Sequence, residues 1–99
     1  MPLDVESLYW STRAEFERHY RKHRYEIGAR SRDAYLQSAR ETVRLGKRFT
    51  FDWKGGTRVG YYHRQTKRFA SLAADERSII THYLTSERQG RNFRGSTYA

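Results

Sequence analysis

Apolar residues recur every three to four positions over the first half of the chain and at alternate positions over much of the second, dividing it into a helical and a sheet-forming part. Behind a short segment holding Leu8, Tyr9 and Trp10, Thr12 and Glu15 have the T-x-x-E spacing of a helix-opening capping box. Phe16, Tyr20, His23 and Ile27 then fall on one helix face and Gly28 supplies a stop. The spacing predicts a helix over residues 12–27 with His23 turned inward. Ser31 is placed to cap a second helix, running to about residue 45, with Tyr35, Leu36, Ala39 and Val43 facing in and Gly46 ending it.

From Arg48 the period changes to two: Phe49, Phe51 and Trp53 alternate with Thr50, Asp52 and Lys54. Gly55-Gly56 reads as a tight two-residue turn and Val59 and Tyr61 as part of the returning strand. Residues 64–67 predict a further turn, 68–73 a third strand, 74–77 a turn and 78–84 a fourth strand. Residues 85–99 are polar and Gly-containing, suited to a closing loop or short edge strand. The expected fold is α+β: two N-terminal helices packed on a four- to five-stranded antiparallel β-meander, one domain over residues 1–99. Registering the hairpins puts Phe49, Phe51, Trp53, Tyr62 and Phe69 on the core face with Ile80. If the third turn is four residues long, as for the Ile80 placement, Thr81 and Tyr83 join Tyr61 and His63 on the other face, and a one-residue slip reverses that assignment.

With 36% hydrophobic residues and a mean hydropathy of -1.03 the core must be thin, but 15% aromatic content gives much buried area per residue. This separates the chain from a disordered basic tail. Lys and Arg number 20 against 11 Asp and Glu, a net charge of +9 that draws the chain toward polyanions. Sixteen of the 20 are Arg, whose planar fork holds phosphate bidentately and stacks on bases, which favours nucleic acid. Cys is absent, which excludes disulfides, thiolate nucleophiles and Cys-based metal sites. No apolar run reaches the roughly 20 residues of a membrane span. The N-terminus lacks a basic-then-apolar secretion signal, so export would depend on something else carrying the domain.

Chemistry concentrates in His19-Tyr20-Arg21-Lys22-His23-Arg24. Two histidines four apart have the spacing of a zinc pair, but there is no Cys, Glu26 is the only carboxylate just beyond, and the cations repel a metal. No metal or cofactor is expected. The same residues suit acid–base chemistry on RNA, which carries its own nucleophile in the 2′-OH. An enzyme need only remove that proton, stabilise the added charge and protonate the leaving oxygen; a histidine, cations and hydroxyl donors suffice. Thr81-His82-Tyr83, with Tyr61 and His63, offers hydroxyls for phosphate and rings for bases. The same features also fit a satisfied interior histidine, a solvated basic helix face and an ordinary aromatic strand.

In their order along residues 14–98 these pieces resemble the barnase, EndoU, colicin and RelE-like toxin ribonucleases, in particular colicin D-like tRNA-cleaving domains of polymorphic bacterial toxins. The resemblance is carried by Phe16-Glu17-Arg18-His19, Lys22-His23 before Glu26-Ile27-Gly28, and Tyr35-Leu36 with Ala39. It continues through Tyr61-Tyr62-His63-Arg64 with Arg68-Phe69, Thr81-His82-Tyr83 and Arg94-Gly95-Ser96-Thr97-Tyr98. It implies a metal-independent endoribonuclease toxin that cuts RNA, tRNA above all, to 2′,3′-cyclic phosphate and 5′-hydroxyl ends. His23 and Lys22 carry the catalytic step, Thr81 donates to phosphate, Tyr83 positions a base and His19 is a second acid–base group. Arg21, Arg24, Tyr61 and His63 complete substrate binding. The family pattern has a further Lys before the Lys-His pair, where this chain has Tyr20, so that role passes to Arg21, Arg24 or another cation. The resemblance also implies a monomeric C-terminal domain of a larger secreted effector, acting in the cytoplasm of a target bacterium and neutralised by an acidic immunity protein. A non-catalytic RNA-binding module and a protein-interaction domain with an acidic partner use the same basic, aromatic surface and stay open as alternatives.

Overall fold

The computed structural model describes residues 3–85 and the backbone of 97–98. After a 3-10 turn at Val5–Ser7 the elements are β1 (Tyr9–Trp10), α1 (Arg13–Ile27), α2 (Arg32–Leu45), β2 (Lys47–Trp53), β3 (Gly56–His63), β4 (Arg68–Ala73), β5 (Ser78–Leu84) and β6 (Thr97–Tyr98). The helices form where the capping signals place them. The Thr12 hydroxyl accepts the Glu15 N–H at 3.1 Å and the Ser31 hydroxyl accepts the Ala34 N–H at 3.1 Å, each cap contributing about 1 kcal/mol. Half of the expected capping box is thus present, the Glu15 carboxylate turning instead to Arg18. Gly28 ends α1 in the left-handed region at φ 80°, where a side chain would be strained. A bidentate Arg32–Glu17 pair at 2.6 and 3.0 Å ties the two helices together.

The fold is α+β, two helices on a mostly antiparallel sheet of order β1-β5-β4-β3-β2-β6. Strands β2 to β5 are the expected meander. The ends differ: Tyr9 and Trp10 add a short strand parallel to Ser78 and Ile79, and Thr97 and Tyr98 pair with Thr50 and Phe49 as an edge strand. The first hairpin turns on Lys54 and Gly55, at φ 51° and 79°, one residue earlier than Gly55-Gly56. That moves the pairing by two and leaves every side chain on its expected face.

Two expectations are corrected. The face holding Phe49, Phe51, Tyr62 and Phe69 is not the one the helices cover. The main core lies opposite, where Val59, Tyr61, Ala70, Leu72 and Ile79 meet Phe16, Tyr20, Ile27, Tyr35, Ala39 and Val43. Phe49, Phe51, Tyr62 and Phe69 form a second, smaller cluster with Tyr83 against it. Both faces are apolar, so alternation alone does not decide which one receives the helices. The Phe49 ring lies over Gly60, where an added Cβ would stand 2.6 Å from the ring. Close to the third turn Leu72 pairs with Ile79, as a four-residue turn requires. A bulge then inserts Ile80, so Ser71 pairs with Thr81 and Phe69 with Tyr83, which carries Thr81 and Tyr83 to the face opposite Tyr61 and His63.

Between those two residues, His82 points into the core and is wholly buried. Its Nδ1–H donates to the Phe69 carbonyl at 2.9 Å, which leaves Nε2 to accept the Ser38 hydroxyl at 2.8 Å, while the Tyr35 hydroxyl donates to the His82 carbonyl at 2.5 Å. Burial holds the ring neutral, its pKa lowered to about 3, against the favourable Phe69 hydrogen bond. The unfolded chain therefore binds a proton between about pH 6.5 and pH 3 that the folded chain refuses. Stability from this group is complete above about pH 6.5 and lost as pH falls toward 3. Urea unfolding at pH 7, 6, 5 and 4 should show decreasing stability. His82→Gln, less stable at pH 7, should have a slope shallower by up to one proton, about 1.4 kcal/mol per pH unit. Equal slopes in the two proteins would contradict the assignment.

Candidate active site

Strand β1 covers the edge of β5 only at Ser78 and Ile79. Helix α1 lies along the remainder of that strand, and its stripe at positions 15, 19, 22, 23 and 26 faces the β5 edge, beside the core stripe of Phe16, Tyr20 and Ile27. His19 Nδ1 stands 3.4 Å from the Thr81 hydroxyl. The His23 ring lies 5.4 Å from the Tyr83 ring and 5.9 Å from that of His19. His23 therefore sits at the sheet edge rather than in the core, with its side chain 12% exposed. The bulge at Ile80 makes this meeting, because without it Thr81 and Tyr83 would face the helix-covered side.

Glu26 joins the constellation, and the sequence reading gave it no role. One carboxylate oxygen accepts the His23 Nδ1–H at 2.9 Å and the other accepts the Leu84 backbone N–H at 3.0 Å, so Glu26 fixes the ring and satisfies the unpaired strand edge together. With Nδ1 engaged, His23 presents Nε2. Burial, reinforced by the charges of Arg18, His23 and Lys22 and opposed by Glu15, lowers the His19 pKa to about 4, so this imidazole is neutral at physiological pH. Burial also pushes the Tyr83 hydroxyl up, helped by the Glu26 charge, and keeps it a hydrogen-bond donor.

His19, Thr81 and Tyr83 line a cleft of about 420 Å³ whose floor includes Phe51 and Phe69 and whose far wall is Trp53, Lys54 and Arg58. The expected site residues divide. His19, His23, Thr81 and Tyr83 come together, and Lys22 stands exposed on the same helix face, its charge felt at His19. Arg21 and Arg24 point away. Arg24 lies over the Tyr20 and Tyr25 rings at 5.1 and 4.8 Å, and Arg21 acts on Glu17. Tyr61 is a core residue on the helix side, donating to Glu76 at 2.8 Å beside the Arg48–Glu76 pair, and burial raises its pKa to about 12. His63 closes on Thr66 at the second turn, 2.8 Å away. Trp53, expected in the core, is 43% exposed and belongs to the cleft. Arg94-Gly95-Ser96 lie outside the described residues. No group of three or more His, Asp or Glu side chains in metal-holding geometry occurs among the described residues. No family model, curated protein or solved structure matches this chain.

Proposed function

We propose that the protein is an endoribonuclease that cleaves RNA, tRNA above all, by transesterification at the cleft beside α1. The observation that carries the reading is the meeting of two histidines, one held neutral by burial and one hydrogen-bonded to a carboxylate, with a hydroxyl and a phenol from β5. In the reaction His19 takes the proton of the 2′-OH as its oxygen forms the new bond to phosphorus. His23 delivers a proton to the 5′ oxygen as the old bond breaks, and solvent then restores both rings. The products are a 2′,3′-cyclic phosphate and a 5′-hydroxyl. Glu26 stabilises the charge on His23 and holds its ring, the role a carboxylate plays behind a catalytic imidazole. Lys22 offsets the charge that builds on the phosphate, and Thr81 and Tyr83 donate to its oxygens or position the base. Delivery as the C-terminal part of a larger secreted effector, and silencing by an acidic protein laid over the cleft, accord with the basic surface.

Incubation of the purified protein with tRNA and mapping of the RNA ends tests the reading. His23→Ala should lower cleavage by about 10²-fold or more with RNA binding retained. Full activity in that folded variant would remove the mechanism. The reacting groups are supplied by side chains and the 2′-OH, so EDTA should leave the rate unchanged and a 2′-deoxy residue at the cut position should block it. Loss with EDTA and recovery with a divalent ion would point to different chemistry.

The neutral state of His19 also sets a pH dependence. A base with a pKa of about 4 stays unprotonated well below pH 6.5, so the acid limb of kcat/KM should lie near pH 4 to 5 in protein shown by circular dichroism to remain folded. His19→Ala should lower activity and abolish that limb. An acid limb at pH 6 to 7 that persists in His19→Ala would assign the base elsewhere.

A further inference from the structure

The histidine side of the cleft handles a phosphodiester; the opposite wall has no part in that chemistry, yet it is built for a ligand. Trp53 ends β2 and stays 43% exposed, while Phe51, two residues earlier on the same face, is buried. Lys54 Nζ and the Arg58 guanidinium carbon each lie over the Trp53 ring, 5.9 Å from its centroid. Neither cation has a carboxylate partner among the described residues, and Glu15, the carboxylate that lines the cleft, is held by Arg18. The Lys54-Gly55 turn, with both residues at positive φ, brings β3 straight back so that Arg58 stands beside the indole. An exposed indole whose two covering cations have no carboxylate to hold them is a surface where a flat, anionic ligand takes the ring face and the cations turn to its charge. A nucleotide answers it fully, the base on the ring and the phosphate on the cations.

We infer that Trp53, Lys54 and Arg58 form a nucleotide-binding subsite, in which a base of the RNA strand flanking the scissile phosphate stacks on Trp53 and its phosphate is held by Arg58 and Lys54. The inference rests on the ribonuclease reading for its substrate but not on the catalytic roles of the histidines. A single-stranded or extruded nucleotide is required, since a base within a duplex offers no free face to the indole. The wall thus selects loops, bulges or ends of a folded RNA.

The chain has two tryptophans, and Trp10 is buried in the main core, so quenching of indole fluorescence reports on Trp53. The probe is a short 2′-O-methyl oligoribonucleotide, which binds but cannot be cut, with an abasic oligomer of equal length and charge as control. The 2′-O-methyl oligomer should quench the wild-type protein and His23→Ala alike, and should not quench Trp53→Phe. By fluorescence anisotropy, Trp53→Ala should weaken its binding by roughly 5- to 100-fold. Arg58→Gln should reduce the salt dependence of binding by about one phosphate contact. Equal affinity for the abasic oligomer, or unchanged affinity in folded Trp53→Ala, would overturn the subsite and leave a charge-only surface, suited to an acidic protein. The two readings fail separately. Quenching at Trp53 without RNA cleavage by the wild type keeps the subsite and removes the enzyme, whereas cleavage and binding indifferent to Trp53 do the reverse.

Discussion

His82 ties β5 to α2 and to β4, and so decides which residues of β5 face the cleft. Its ring bridges α2 at Ser38 and β4 at the Phe69 carbonyl, and its own carbonyl receives Tyr35. Each of these bonds lies in the core, where an unmatched polar group costs about 1 to 3 kcal/mol, so the set is stable only when complete. Completion fixes the inward direction at position 82. Alternation along β5 then sends Thr81 and Tyr83 to the opposite face, toward the cleft. Tyr35 also stands at the centre of an aromatic group with Trp10, Phe16 and Tyr20, ring centroids 5.6 to 6.1 Å from its own, which positions α1 from within.

The same economy appears at the exposed edge of β5. A strand edge with free N–H groups invites pairing with another chain, and a helix lying along it is one remedy. Here the helix supplies Glu26 to the Leu84 N–H, and the second oxygen of that carboxylate orients His23. Edge protection and histidine positioning are thus one interaction. Loss of Glu26 would loosen both the orientation of the ring and the local pairing of β5.

Much of the fold is legible in the sequence because its signals are local. Thr12, Gly28 and Ser31 mark the helix boundaries through caps, and the alternation of Phe49, Phe51 and Trp53 marks β2. What the sequence leaves hidden is relational. A sheet apolar on both faces does not announce which one the helices cover, and the Ile80 bulge, set by packing across β4 and β5, has no signature in residue type. These two facts decide that Tyr61 belongs to the core and Thr81 and Tyr83 to the cleft. Helical spacing brings His19 and His23 to one face, but an i, i+4 pair does not say whether that face meets core, solvent or strand edge. Trp53 is the instructive case: its alternation with Phe51 is genuine, and its exposure follows only from its place at the end of the strand, past the packed aromatic cluster.

Net charge says little about where an anion would bind, because many of the arginines serve the fold. Arg18 holds Glu15, Arg32 holds Glu17, Arg44 holds Glu6 and Arg48 holds Glu76, while Arg40 donates to the Leu8 carbonyl and Arg68 to that of Ile27. Such paired cations contribute little field beyond their partners at physiological ionic strength, where the screening length is about 8 Å. Lys22, Lys54 and Arg58 have no carboxylate partner among the described residues, as is true also of Arg24, Arg30, Lys67 and Arg77, but these three stand around the cleft and its histidine edge. Which cations are left without an acid is therefore decided by the placement of the acids as much as by that of the bases. Carboxylates neutralise arginines along the helices and turns, whereas Lys22 on the histidine side and Lys54 and Arg58 at the exposed indole keep their charge.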